Sequence, residues 1–150
     1  MGHDFKRFPE LTNAQMQFYY FESPHKQIFE DFKAHVEDVH DGDTIKVTCD
    51  FRDFKFPIRL ANINAPEMSE PEGRESKYWL KDQINGKEVE VLINKKNRVG
   101  KYGRLIGQIL FNGSNLNDEA LTLRTAVAFG TDDFIPDFNR DIRREKWLSA

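Results

Sequence analysis

One cysteine, Cys49, is present in 150 residues, so an internal disulfide is excluded and a reducing compartment is expected. No apolar run approaches the roughly 18–20 residues of a membrane span. The first residues, Met1-Gly2-His3-Asp4-Phe5-Lys6-Arg7, lack the apolar stretch of a secretory signal. A cytoplasmic protein with no membrane partner and no evident stable protein partner is therefore expected. His3, His25, His35 and His40 show no zinc-type spacing, and surface or turn roles are expected for them. There is no phosphate-cradling P-loop, dinucleotide glycine fingerprint, internal repeat or low-complexity tract. A basic excess is also missing: 22 Lys and Arg face 25 Asp and Glu, a net charge of −3, which argues against a chain that coats nucleic acid.

What is present is a soluble, globular composition, 39% hydrophobic and 31% charged, at a length suited to one domain. Its charge is unevenly spread. Residues 1–51 carry −5, residues 52–104 carry +4 and residues 105–150 carry −2. A focused electropositive site on an acidic protein is expected from the middle stretch. Phenylalanine is abundant, at thirteen residues.

Residues 1–31 read as an N-terminal extension packed on a domain spanning 32–150. Thr12 is placed to cap a short helix through Tyr20, and Pro24 interrupts the chain beyond it. Phe5, Phe8 and the run Phe18-Tyr19-Tyr20-Phe21 are expected to pack this lead against the domain. Phe32–Val39 reads as a first strand, closed by the Asp41-Gly42 turn. Period-two alternation marks two more strands, with Ile45, Val47, Cys49 and Phe51 on one face of the second and Phe54, Phe56, Ile58 and Leu60 on one face of the third. Cys49 is expected in the core, and Pro57 at an edge or bulge. A helix is expected from Arg74 to Asn85 with Gly73 before it and Gly86 after it. Glu88–Asn94 reads as a fourth strand and Leu105–Phe111 as a fifth, apolar on both faces. Asn117 or Asp118 is expected to cap a second helix to about Phe129, and Asp137 to start a last one. This order suits an α+β fold built on a five-stranded barrel of the oligonucleotide-binding type with two or three flanking helices, although strand count alone also permits another small β-barrel.

Chemistry concentrates at the ends of these strands. Asp41-Gly42-Asp43-Thr44 is followed by Ile58-Arg59-Leu60, Asn64-Ala65-Pro66-Glu67 and Lys101-Tyr102-Gly103-Arg104. Acidic oxygens suit a hard cation, and guanidinium forks suit a phosphodiester. Singly, each piece has a plain structural reading: a turn for Asp41 and Asp43, a surface glutamate after a proline for Glu67, solvated charges for the arginines. Their order and spacing favour the joint reading.

Together with Gly73-Arg74-Glu75 and Asn117-Asp118-Glu119-Ala120-Leu121, these segments resemble the staphylococcal (thermo)nuclease family over roughly residues 32–130. The resemblance implies the oligonucleotide-binding barrel and calcium-dependent hydrolysis of DNA and RNA with weak sequence selectivity. The bond cleaved would be P–O5′, leaving 3′-phosphate ends. It implies Asp43 as a direct calcium ligand, Asp41 in an outer shell, and Ala65 as a ligand through its backbone carbonyl. Glu67 would orient or deprotonate the attacking water, and Arg59 and Arg104 would grip the phosphate. Lys101 and Tyr102 would contact a flanking phosphate, with Phe129 and Phe134 standing where the family has base-stacking aromatics; core packing is the plainer reading of Phe129.

The chain departs from the family where Asn64 replaces the usual second aspartate ligand. An amide oxygen coordinates calcium without a full negative charge, so weaker metal binding is expected. Ala65 replaces a threonine, and Gly100 stands where an aspartate often precedes Lys-Tyr-Gly-Arg. Two functions remain: a calcium-dependent phosphodiesterase, or a nucleic-acid-binding module of the same fold that has lost catalysis.

Overall fold

The computed structural model describes residues 3–100 and 102–128. Five strands close into a barrel: β1 (Phe32–Asp41), β2 (Thr44–Cys49), β3 (Arg52–Leu60), β5 (Glu88–Leu92) and β6 (Leu105–Phe111). Their order is β3-β2-β1-β5-β6, and parallel pairing of Ile58–Leu60 with Leu105–Gly107 joins the two edges. Closure leaves no edge strand in the barrel proper, so the inward-facing residues of every strand meet in one core. Val36, Ile45, Val47, Phe56, Ile58, Val91, Leu105 and Ile109 are fully buried there. The α+β oligonucleotide-binding barrel expected from the alternation is the observed architecture.

Two further short pairs embrace the barrel. β4 (Ile63–Asn64) pairs antiparallel with β8 (Val127–Ala128), and β7 (Ser114–Asn115) folds back on β6. Helix α2 (Pro71–Ile84) buries Leu80 and Ile84 against the core, and α3 (Leu116–Leu123) buries Leu116 and Ala120.

Several boundaries differ from the sequence expectation. β1 runs on to Asp41, with register shifts after Val36 and Val39 that let the strand bend over the barrel. β2 stops at Cys49, which is half-buried against the core, and Phe51 is exposed. β3 starts at Arg52, and Pro57 stands just before β3 gains β6 as its second neighbour. β5 ends at Leu92. β6 buries only Leu105, Gly107 and Ile109 fully, its other face being half-covered.

Helix α2 begins three residues earlier than expected, because Pro71 takes the first helical position, where its fixed φ and missing N–H do no harm. Gly73 therefore lies inside the first turn. α3 is capped by Asn115, whose side chain accepts from the Asp118 amide. It stops at Leu123, since Arg124 turns left-handed with φ 63° and the chain is then recruited into β8. Asn117 is instead a buried pin: its amide nitrogen donates to Ala61 O at 2.8 Å while its oxygen accepts from the Ile109 amide at 3.1 Å. The helix expected from Asp137 lies outside the described residues.

The N-terminal lead forms α1 (Asn13–Tyr19), with Thr12 and Gln15 making a reciprocal cap. The aromatic anchoring expected of it is largely absent. Phe18, Tyr19 and Phe21 are 74%, 52% and 95% exposed, and α1 buries no residue. Of its described aromatics Phe5 packs on the core, to which the buried Ile28 of the lead also belongs. Buried polar groups also hold the lead. Buried Glu10 accepts from the Arg52 guanidinium at 2.5 Å and faces His25 at 3.4 Å. The Arg52 guanidinium also donates to Lys26 O at 2.6 Å and sits 4.4 Å over the Phe56 ring. Buried Arg98 donates to the carbonyls of Leu11 and Ile28 and to Asn13 Oδ1. Burial opposes ionisation of Glu10, yet His25 and Arg52 hold its carboxyl below the ordinary carboxylate value. Removing one member of such a buried pair typically costs about 3–5 kcal/mol.

Candidate active site at the mouth of the barrel

Asp41, Gly42 and Asp43 form the β1–β2 turn, in which Asp41 Oδ1 accepts from the Asp43 amide at 3.0 Å. Gly42 must be small. A Cβ there would meet Ser76 Oγ at 2.0 Å and Ala65 Cβ at 2.7 Å, so the turn, α2 and the loop after β4 are in direct contact. Gly73 performs a matching service, because its Cβ would fall 1.9 Å from the carbonyl oxygen of Glu67. Two glycines thus let helix α2 press the Asn64-Ala65-Pro66-Glu67 loop onto the Asp41–Asp43 turn.

Hydrogen bonds fix the acidic side. Asp43 Oδ2 accepts from the Ala65 amide at 2.8 Å, and Oδ1 accepts from the Thr44 hydroxyl at 3.1 Å. Arg59 stands opposite, in register with Thr44 on β2 and Ile106 on β6. Its guanidinium donates to Leu60 O at 2.9 Å and to Asn64 Oδ1 at 2.6 Å, and lies 3.4 Å from Asp43 Oδ2. β8 supports this edge, since Val127 is the partner of Asn64 in the two-stranded ribbon.

Arg104 arrives from the far side, immediately before β6, on a tight hairpin closed by the Gly100 amide donating to Arg104 O at 2.8 Å. The hairpin turns at Gly103, φ 78°, a conformation that suits glycine. The N-terminal lead braces it: the Glu10 amide donates to Gly103 O at 2.9 Å, and a Cβ on Gly103 would strike Pro9 at 2.2 Å. Just upstream, the Ile106 amide donates to the carbonyl of buried Arg98 at 2.8 Å.

These elements enclose a polar cleft of about 400 Å³. Asp41, Asp43, Asn64, Ala65, Arg59 and Arg104 line it together, and Glu67, also in its lining, is exposed. Tyr102, 70% exposed, lies instead in an adjoining cavity that shares Arg59 and Arg104 with the cleft. Lys101, Phe129 and Phe134 lie outside the described residues. Sequence reasoning missed the bracing residues Glu10, Arg52, Arg98 and Asn117. Glu10, Arg52 and Arg98 belong to no motif, and a buried arginine reads in sequence like any surface cation. Asn117 does stand in a motif, where it reads as a helix cap rather than as a buried pin.

The electrostatics are those of a crowded anionic pocket. Burial, then the neighbouring Asp41, pushes the Asp43 carboxyl up from its ordinary 3.8 to about 6, against the pull of Arg59 and the Ala65 amide. A cation placed here would relieve that strain. Among the described residues no three His, Cys, Asp or Glu side chains cluster as a metal site. An ion held here would draw on Asp43, Asp41, the Asn64 amide oxygen and the Ala65 carbonyl. All are hard oxygen donors, which suits calcium or magnesium rather than zinc.

Fold and cleft together define a small β-barrel with a compact site able to face a phosphodiester. The sequence model of a family described as staphylococcal nuclease homologue matches residues 57–133. A protein of Escherichia coli O157:H7, named as an uncharacterized endonuclease, is 33% identical over 127 residues, covering 80% of each chain. A probable staphylococcal-like nuclease of Oryza sativa subsp. japonica is 35% identical over 92 residues, 61% of this chain and 24% of that protein. A staphylococcal-like nuclease of Arabidopsis thaliana is 37% identical over 67 residues, 45% of this chain and 20% of that protein. The chain belongs to the family of staphylococcal nuclease homologues.

Proposed function

We propose that the protein is a nuclease, a calcium-dependent phosphodiester hydrolase that cuts DNA, RNA or both with weak sequence selectivity and leaves 3′-phosphate ends. The observation that carries this reading is the convergence of Asp41, Asp43, Asn64, Arg59, Arg104 and Glu67 on one cleft from separate stretches of chain. Asp43, Asn64 and the Ala65 carbonyl would hold a hard cation, which would supply charge neutralisation and a more acidic water.

The protein's own groups do the rest. Arg59, held by Leu60 O and Asn64 Oδ1, and Arg104, held on its braced hairpin, donate to the equatorial oxygens, where negative charge builds as water attacks phosphorus. Both stay charged throughout and act electrostatically. Glu67, exposed in the cleft lining, accepts a proton from the attacking water. As the new P–O bond forms, the P–O5′ bond breaks, and the departing oxygen takes its proton from solvent. Calcium binding is expected to be weaker than in a site with two aspartate ligands, because Asn64 contributes no charge and already serves Arg59.

Incubation of wild type and Glu67→Ala with end-labelled single-stranded DNA and RNA, with calcium and with a chelator, tests this. Calcium-dependent cleavage by wild type alone supports it. Equal cleavage by both proteins overturns the catalytic claim, and binding without cleavage by either favours the alternative, a binding module.

A further inference from the structure

A second concavity, about 700 Å³, opens from the cleft and shares His40, Thr44 and Arg104 with it. That size falls within the about 300–1,000 Å³ usual for ligand clefts. Its floor is aromatic and is made jointly by the barrel and the N-terminal lead. His3 stacks on Phe54 with ring centroids 4.0 Å apart and planes 12° apart, and Phe5 meets the edge of His3 at 4.6 Å. Exposed Lys46 of β2 and Lys55 of β3 flank this floor. Asp53 is the carboxylate on its wall, and Glu37 lies 3.8 Å from the Lys55 ammonium in an exposed pair. With Arg104, three cations thus face one lining carboxylate.

β3 distinguishes this groove from its neighbour. The cavity that contains Tyr102 takes the residues from Arg59 to Ile63, whereas the groove takes Asp53, Phe54, Lys55 and Pro57. The two spaces share Arg104, the groove taking the earlier part of β3 and the Tyr102 cavity its end and the residues after it. Cations that track a backbone beside rings that accept any base are the two requirements of single-strand binding.

We propose that this groove is a further nucleotide subsite, taking the segment of a single-stranded polynucleotide that leaves the gripped phosphate through it rather than through the Tyr102 cavity. The proposal rests on the nuclease reading for its substrate class. It assigns the N-terminal lead a part in substrate binding through His3 and Phe5, and Lys46 and Lys55 the role of meeting flanking phosphates.

The test compares wild type with the triple variant His3→Ala, Lys46→Ala, Lys55→Ala. Its substrates are a dinucleotide with one cleavable bond and oligonucleotides extended by several nucleotides on the 5′ or the 3′ side of that bond. In wild type, kcat/KM is expected to exceed that of the dinucleotide for extension on one side. In the variant this ratio is expected to fall about five- to a hundredfold, as loss of base stacking does elsewhere. An unchanged ratio overturns the proposal, including the case in which all substrates slow together. Fluorescence anisotropy of a labelled single strand in chelator gives a readout independent of cleavage. There the variant is expected to bind more weakly, with a log–log salt slope shallower by about 1.4 for two lost phosphate contacts. An unaltered affinity and slope overturns the proposal. Anisotropy that follows the expected pattern in a protein that cleaves nothing retains the subsite and rejects the nuclease reading. Cleavage with an unchanged ratio does the reverse.

Discussion

Replacing Asp43 by asparagine is expected to stabilise the metal-free protein while abolishing calcium-dependent cleavage, and both effects have one origin. The Asp43 carboxyl is 14% exposed, lies next to Asp41 and has its affinity for protons raised to about 6. The unfolded chain binds that proton only near the ordinary 3.8. Between these values the native state holds more protons, so stability falls as pH rises through the window and levels off above it. At 1.36 kcal/mol per pH unit, the displacement corresponds to at most roughly 3 kcal/mol of strain in the ionised form. An asparagine removes the charge but sets an amide against Arg59 and the Ala65 N–H, which returns part of the gain. A net gain of about 1–2 kcal/mol at pH 8 is expected, shrinking toward zero near pH 4. Urea unfolding of both proteins in chelator at about pH 4.5 and pH 8 measures it. Calcium at about tenfold over its dissociation constant should raise wild-type stability by about 1.4 kcal/mol and leave the variant unmoved. A variant less stable than wild type at pH 8, or a difference independent of pH, refutes the reasoning.

Other perturbations separate the parts of the cleft. Arg59→Lys and Arg104→Lys should each lower kcat about a hundredfold with little change in melting temperature, since an ammonium cannot reproduce two parallel hydrogen bonds. Unchanged kcat removes that arginine from the phosphate grip. Gly73→Ala should destabilise by about 2 kcal/mol and lower kcat, because the new Cβ meets the backbone oxygen of Glu67 and must displace it; denaturation and initial rates check both effects, and an unperturbed Gly73→Ala protein contradicts the clamp. Asn64→Asp should tighten calcium binding about tenfold by titration calorimetry, from an added ligand charge partly cancelled by Arg59; unchanged affinity counts against Asn64 as a ligand.

The barrel was legible because half-buried strands print their alternation in the sequence, as with Ile45 and Val47 or Phe56 and Ile58, both pairs fully buried. The cleft was legible because its motifs keep their order. What stayed hidden was polar and long-range. The basic excess of residues 52–104 suggested a site, yet Arg52 and Arg98 spend their charge inside the molecule, tying the lead to the barrel. The aromatics of the N-terminal lead suggested anchoring, yet Phe18 and Phe21 face solvent while Glu10 and Gln27 are buried. A hydropathy pattern carries no record of which carboxylate finds which guanidinium. The early end of α3 was likewise set from afar, by the pairing of Val127 with Asn64.

Calorimetric titration of calcium into Glu67→Ala, with and without an uncleaved single-stranded oligonucleotide, tests most directly whether cation and phosphodiester meet in one cleft. Binding at least about tenfold tighter with the oligonucleotide present is expected, since a phosphate oxygen completes the ion's coordination and Arg59 is drawn from Asp43 toward the phosphate. Calcium affinity indifferent to the oligonucleotide would contradict the account.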